Sequence, residues 1–593
     1  MLVQLDAGNT SHNAVESTTH RLNYETLNSL VESIKYQSAL IIRQQKKPCL
    51  LLFNNNIEYA ATFLAVTKLC PVMPMNPKLS VEHIVSIAEF MAPVAIFYDS
   101  GNAEKGRQIA EVLGLTEHEI NLDKELEHAQ STEPEKDVVQ TYPILDENDI
   151  ALILHTSGTT AKPKCVPLTY KNLRCSINNI INALQLSAND RNLNMMPLFH
   201  IHGIVASMLA TFASQGCFIL KEIDYAKIGE YLRDDKPTWY TAVPTIHHKI
   251  YQSLSMNKVD LDAIKLRFIR SCSSALPDVL HHKVQQLLKI PMVQAYGMTE
   301  SAHQIATNPL SIEAIKFNSV GLAHTSILIV GDEDTVLNHS EIGEVCIQGE
   351  HVFSGYINNE KANNESFIHG HFRTGDLGYI DEDGYLFLTG RKKEIINKGG
   401  FKISPAQVDL LVLQHPQIKE TIAFAIPHDT LGEDIAIMVV AESILTPEDL
   451  YEYLKNKLPD YMLPTKIFFV DEIPKSATGK INRLSIAKEF KTERSTQAVE
   501  NELERELADV WKKILMVPEV YRDDNFFQMG GNSLSGAEFF DYIRNRYALN
   551  LQPIELYKAP TIAQMATIIQ LEKEKNKDNW LNQIDLILKK YEG

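Results

Sequence analysis

The stretch Asp524-Asn525-Phe526-Phe527-Gln528-Met529-Gly530-Gly531-Asn532-Ser533-Leu534 constrains the fold of this chain more than any other. Gly530-Gly531 gives a backbone that turns sharply and can be approached closely. Asn532 is a good cap residue, and Ser533 is predicted to open a helix running through Leu534-Ser535-Gly536-Ala537. An anionic group at that position would sit at the positive end of the helix. Phe526, Phe527 and Leu534 can anchor the loop in a small core. A small helical domain is therefore expected near the end of the chain. A length of 593 residues is too long for one core and implies three or more domains.

The eleven residues together resemble the attachment site of an acyl or peptidyl carrier domain. That resemblance implies a 4'-phosphopantetheine arm on Ser533 and a phosphopantetheinyl transferase as a partner.

A second signal lies upstream. Thr156-Ser157-Gly158-Thr159-Thr160-Ala161-Lys162-Pro163-Lys164 follows the apolar run Ala151-Leu152-Ile153-Leu154. Hydroxyls, a glycine and lysines in a mobile loop can grip a polyphosphate through N–H, O–H and positive charge. The Gly-Lys-Ser/Thr ending of a Walker loop is missing. The string resembles the phosphate loop of the adenylate-forming superfamily, with Ala161 and Cys165 standing where that family usually has glycine.

Further motifs of that superfamily recur in order between about residues 25 and 490. In Tyr296-Gly297-Met298-Thr299-Glu300 the resemblance implies that Tyr296 stacks on adenine, Thr299 contacts the α-phosphate and Glu300 holds Mg²⁺. A hard cation that bridges phosphate oxygens suits a carboxylate. Ser273-Ser274-Ala275 resembles the strand end that lines the adenine and acyl sites. Arg373-Thr374-Gly375-Asp376 supplies a carboxylate suited to two ribose hydroxyls, and Asp376 matches the ribose ligand of that family. In Gly390-Arg391-Lys392-Lys393-Glu394, Arg391 would contact ribose or phosphate, and Lys393 falls at the hinge of a swinging C-terminal domain. Gly399-Gly400 resembles the border of a pantetheine tunnel. Lys480 closes Pro474-Lys475-Ser476-Ala477-Thr478-Gly479-Lys480 and matches the catalytic lysine that bridges carboxylate and α-phosphate as negative charge builds up.

Pro197-Leu198-Phe199-His200-Ile201-His202-Gly203 lacks the aspartate that α-amino-acid activators carry, and resembles acyl-CoA synthetases instead. Arg267-Phe268-Ile269-Arg270-Ser271-Cys272-Ser273-Ser274-Ala275-Leu276 and Thr299-Glu300-Ser301-Ala302-His303-Gln304 resemble the oxalate–CoA ligase branch. A small polar carboxylate is then the expected substrate. His202, Ser273, Ser274 and His303, beside Gly297, would face its second carboxylate, a place that suits histidine because a neighbouring anion favours its charged form. For His200, a site role and a structural role weigh equally.

The expected architecture is multidomain: a large layered α/β adenylation domain (1–390), a small α+β lid (391–490) and, after a polar linker (491–500), an all-α four-helix carrier (501–575). A tail (576–593) follows. Its Trp580, Leu581, Ile584, Ile587 and Leu588 fall at helical spacing, as a docking helix or a last helix packing locally. The helix Glu58–Leu69 and the strands Pro48–Phe53, Thr421–Ile426 and Ile435–Val440 are predicted from their patterns, with a helix from Pro447 to Leu458.

The chain reads as an ATP-dependent acid–thiol ligase that loads its own arm, a stand-alone adenylation–carrier didomain of the nonribosomal peptide synthetase type. A separate enzyme would accept the acyl group. One alternative is a ligase that uses free coenzyme A on a small dicarboxylate such as oxalate. Another is a weakened scaffold whose carrier is loaded by a different protein. The net charge of −18 argues against nucleic acid or anionic membrane as a partner. Seven cysteines without metal-type spacing, and no apolar leader or spanning run, predict a reduced cytoplasmic protein.

Overall fold

The computed structural model describes residues 2–5, 11–42, 46–131, 145–156, 164–256, 259–428, 431–441, 445–474, 482–491, 497–515, 517–526, 529, 531, 533–552, 555–556 and 559–575. The chain divides into two compact units, Met1–Lys393 and Glu394–Gly593.

The first unit is layered α/β. Its six-stranded sheet runs Thr116–Ile120, Ala95–Asp99, Cys49–Leu52, Val72–Pro74, Ile150–Thr156 and Lys164–Thr169. These strands are parallel except for the last pair, in which Thr156 lies opposite Lys164. Cys49–Leu52 is buried at every position, as expected for a strand covered on both faces. The helix Ile57–Val66 is buried along its whole length and capped by Asn56, whose side chain accepts from the Tyr59 N–H. It ends earlier than the apolar pattern predicts: past Val66 the backbone tightens to i→i−3 bonds, Lys68 N–H to Ala65 O and Leu69 N–H to Val66 O.

A fourteen-stranded sheet carries the remaining apolar strands of this unit. Its parallel half includes Arg191–Leu193, Trp239–Ala242, Phe268–Ser271 and Met292–Met298. The next strand, His303–Thr307, folds back antiparallel on Met292–Met298. From there Ser319–Ala323, Tyr385–Arg391, His371–Ile380, Gly343–Gln348 and Ser326–Val330 continue as antiparallel pairs. The change of direction falls between Met298 and His303, so the candidate site residues gather at strand ends where the sheet switches topology.

The second unit holds a five-stranded sheet, of which Ile418–His428 and Gly432–Ala441 form the longest ladder, with helices Pro405–Val412, Pro447–Lys455 and Arg483–Lys491. A separate helical core follows. Leu507, Trp511, Phe526, Phe539, Ile543, Ile562, Met565 and Ile569 pack together from helices Glu502–Leu515, Ser533–Tyr547 and 562–575. Phe526 is an anchor of this core, as expected; Phe527, and the tail with its amphipathic stretch, lie outside the described residues. At 497–500, in the stretch expected to link the domains, Arg522 N–H bonds Gln497 O and Arg522 pairs with Glu500. Among the described residues no helix is long and apolar enough to cross a membrane.

Candidate active site

The strand Met292–Met298 ends in a 3-10 turn, Thr299–Ser301, and so delivers Tyr296, Gly297, Thr299 and Glu300 in one short run. A Cβ on Gly297 would lie 1.5 Å from the His303 carbonyl oxygen, so only glycine lets the returning strand approach. The buried Tyr296 hydroxyl donates to Asp376 Oδ2 at 2.5 Å. Arg391 Nε reaches Asp376 Oδ1 at 2.8 Å across the ladder that pairs their two strands. Asp376 is thus fixed by an aromatic hydroxyl and a guanidinium, while most of Arg391 stays in solvent.

Glu300 is buried, and burial raises its carboxyl above the ordinary glutamate range. Three neighbours oppose that shift: the Tyr356 hydroxyl, which donates to Oε1 at 2.8 Å, and the charges of Arg391 and Lys164. Lys164 Nζ lies 4.4 Å from the centre of the Tyr356 ring. Tyr356 therefore stands between Lys164 and the buried carboxylate. Sequence reasoning passed it over because it lies outside every motif; its sole signal is an aromatic cluster with Phe353.

On the acyl side the structure joins residues far apart in the chain. His202 opens a buried π-helical stretch, His202–Leu209, a geometry often found at functional sites. A Cβ on the next residue, Gly203, would meet Pro197 O at 2.1 Å. His202 Nδ1 lies 3.0 Å from Ser273 Oγ and Nε2 lies 2.7 Å from Thr241 Oγ1. The His202 and His303 rings stack with centroids 5.0 Å apart. Ser273 (φ 72°) and His303 (φ 102°) both hold left-handed backbone, a strain that only a determined surrounding maintains. Ser274 is exposed and its hydroxyl turns onto Ser273 O. His200 is not joined to this cluster by any hydrogen bond described; its ring packs on Phe199.

Beneath the two histidines lies Arg270, wholly buried in the strand Phe268–Ser271. Nη2 reaches His303 Nε2 at 3.0 Å and Gln304 Oε1 at 2.7 Å, and Nη1 reaches Thr241 Oγ1 at 3.2 Å. The sequence places this arginine inside an apolar strand, which was the available signal, yet it was not marked as a site residue. The neighbour of His303 is a cation, and a guanidinium N–H facing Nε2 requires that nitrogen to accept.

Other expected residues lie elsewhere. Lys393 is exposed and is the last residue of the first unit. Gly399 and Gly400 turn through positive φ between Ile396–Lys398 and Phe401–Ile403. Ser533 is the first residue of its helix. Ser157, Gly158, Thr159, Thr160 and Lys480, and the side chains of Thr156 and Ser533, lie outside the described residues.

A layered α/β fold followed by a helical carrier region fits an AMP-forming acid–thiol ligase, and the comparisons show that class. The chain belongs to the AMP-binding enzyme family: residues 6–357 match its model, and 407–480 match the AMP-binding enzyme C-terminal domain. Residues 505–569 match the phosphopantetheine attachment site. Among curated relatives, an oxalate–CoA ligase of Saccharomyces cerevisiae is 43% identical over 58% of this chain and 64% of its own length, so the aligned part spans under two thirds of that enzyme. An oxalate–CoA ligase of Arabidopsis thaliana is 35% identical over 79% of this chain and 93% of its own. The fold matches ATP-bound MatB from Rhodopseudomonas palustris (TM-score 0.75, 22% identity, 82% of this chain and 98% of that one). It also matches o-succinylbenzoate CoA synthetase from Bacillus subtilis in complex with its acyl-adenylate (TM-score 0.72, 24% identity, 82% and 97%).

Proposed function

We propose that this chain activates a small, polar carboxylic acid as its acyl-adenylate and then passes the acyl group to a thiol arm on its own Ser533. The observation that carries this reading is the presence of an acid-activating ligase and a phosphopantetheine attachment region on one chain. Ser533 opens a helix of fifteen residues, whose N-terminus favours a phosphate ester.

In the first half-reaction a carboxylate oxygen attacks the α-phosphorus of ATP, and pyrophosphate leaves. Thr156 to Thr160 and Lys164 grip the phosphates, Tyr296 and Ser274 border the base, and Asp376 with Arg391 holds the ribose. Thr299 contacts the α-phosphate, and Lys480 balances the charge that develops between carboxylate and phosphate. Glu300 fits a Mg²⁺ ion, because a buried carboxylate raised by desolvation is relieved by a cation. Among the described residues no cluster of three or more acidic, His or Cys side chains could supply the rest of the shell. The remaining ligands would be phosphate oxygens and water, the usual pattern for Mg²⁺, which would draw charge off the leaving pyrophosphate. In the second half-reaction the lid rotates at Lys393, the thiol attacks the acyl carbonyl and AMP leaves. A separate enzyme then takes the acyl group.

A second reading, transfer to free coenzyme A, is favoured by the oxalate–CoA ligase relatives. Intact mass decides between them. The full chain is phosphopantetheinylated, then incubated with Mg²⁺-ATP and a panel of acids that includes oxalate. Self-loading adds one acyl mass to the chain, and Ser533→Ala abolishes the gain. Acyl-CoA formed at an unchanged rate by Ser533→Ala, with no acyl mass on the wild type, overturns self-loading.

A further inference from the structure

Among the described residues Arg270 is a cation with no acidic partner. It is wholly buried, and among the described residues its hydrogen-bond partners are Thr241, His303 and Gln304, none of them acidic. Among the described residues its Nε meets no oxygen or nitrogen acceptor, and the Cys272 thiol is its other polar neighbour. A buried unpaired charge is costly and persists where function requires it. Its field reaches its neighbours: burial first, and the Arg270 charge second, hold His324 below the ordinary histidine range.

A guanidinium donates and never accepts, so it sets the direction of every hydrogen bond attached to it. Arg270 Nη1–H donates to Thr241 Oγ1. Thr241 is fully buried, so its own proton needs an acceptor, and His202 Nε2 at 2.7 Å is the one in reach. With Nε2 accepting, the His202 proton sits on Nδ1 and donates to Ser273 Oγ. The Ser273 hydroxyl, half-buried at the rim, is left with its proton directed away from the histidine. On the other arm, Arg270 Nη2–H faces His303 Nε2, which places the ring proton of His303 on Nδ1. The side-chain oxygen of Gln304 takes the second Nη2–H, while Gln304 Nε2 donates to Thr307. The directions are consistent at every step.

We propose that Arg270 is a positioning residue that wires the acyl pocket as a donor surface and leaves a positive charge for the substrate to neutralise. It holds His202 and His303 as neutral imidazoles with their protons on Nδ1, and turns the Ser273 proton toward the pocket. The acid that fits carries a second anionic oxygen group beyond the carboxylate that reacts; that group accepts these hydrogen bonds and becomes the missing counter-ion. The substrate class rests on the proposed acid activation, whereas the wiring does not.

The test uses the full chain labelled with ¹⁵N at histidine, first without substrate. Wild type is expected to show His202 and His303 with bare, accepting Nε2 and protonated Nδ1. Arg270→Met should release His303 to take up a proton at Nε2, and Thr241→Val should do the same for His202 with Arg270 in place. A protonated Nε2 on His303 in wild type, or spectra unchanged by both substitutions, overturns the wiring whatever acid the enzyme uses. Pyrophosphate exchange then reads the consequence. Arg270→Met should raise KM for the acid by roughly tenfold or more, the scale of a lost charged hydrogen bond, with KM for ATP unchanged. Arg270→Lys should lie between, and substrates lacking the second anionic group should lose their disadvantage in Arg270→Met. Equal rises in KM for acid and ATP, or no change in either, overturn the role. Failure of every acid on wild type would instead remove the proposed function, with the nitrogen spectra still deciding Arg270.

Discussion

Arg483 Nε lies 2.9 Å from Glu394 Oε2, which ties the residue just past Lys393 to the start of the helix that follows the Lys480 segment. The same guanidinium reaches Asp409 Oδ2 at 2.8 Å and bonds Ala423 O. Asp409 is half-buried, and desolvation raises its carboxyl despite the opposing Arg483 charge. Removing the arginine leaves two acids uncompensated. Arg483→Ala should destabilise this unit by about 3 kcal/mol, as for a broken buried pair. Urea unfolding followed by hydrogen exchange of Ile418–His428 checks it, and an unchanged midpoint would show the triad to be inert.

Tyr356→Phe keeps the ring over which Lys164 lies but deletes the hydroxyl on Glu300. The carboxylate loses its one described side-chain donor, and its pKa should climb further. Proton and metal then compete more strongly for Glu300, so the Mg²⁺ requirement of pyrophosphate exchange should rise. The expected increase in the half-saturating Mg²⁺ concentration is about tenfold at neutral pH, one charged hydrogen bond. It should shrink as pH rises and the carboxyl ionises. A magnesium titration at two pH values reads both, and identical curves for wild type and variant would separate Tyr356 from the metal.

Much of this was legible in the residues themselves. Hydroxyl, glycine and lysine spacing marks Lys164, and the Tyr296-to-Glu300 run ends a strand and opens a turn as its pattern implies. His202, Ser273 and His303 were picked from three separate strings, and they meet. Arg270, Thr241 and Tyr356 were not picked, for a common reason. Each acts through another side chain, so its chemistry depends on which strand lies beside which, and no local spacing encodes that. The cation beside His303 sits 33 residues earlier in the chain, a neighbour that local spacing does not report. The early end of helix Ile57–Val66 reflects backbone bonds that tighten to i→i−3 spacing, which apolar periodicity does not report.

Gly297→Ala tests how finely the two halves of the site are spaced. A methyl group would overlap the His303 carbonyl, and neither strand can yield without moving Tyr296 or His303. A displacement of about 1 Å at a reacting centre costs roughly 10²-fold in rate. Acyl-adenylate formation should fall by that order, with the overall fold retained by circular dichroism. Activity within threefold of wild type would mean that the strands part without disturbing the site.

Acid should loosen the helix that presents Ser533 before it unfolds the rest. Glu506, on Glu502–Leu515, accepts from Arg546 Nε at 2.6 Å, Tyr542 Oη at 2.7 Å and Tyr547 Oη at 2.7 Å, all on Ser533–Tyr547. Arg546 foremost, then the two tyrosines, depress its carboxyl from 4.5 to about 2. A depressed carboxyl contributes stability that is fully present above its unfolded pKa and is lost as pH falls through its folded one. The window is therefore pH 4.5 down to about 2. Solvent screens a surface cluster of this kind, so the effect is a modest local loosening. Hydrogen exchange of Glu502–Leu515, corrected for intrinsic rates, should accelerate across that window in wild type. Glu506→Gln should exchange faster at pH 6 and show a flatter profile below 4.5. Parallel profiles for the two proteins would show that the clamp does not hold the helix pair.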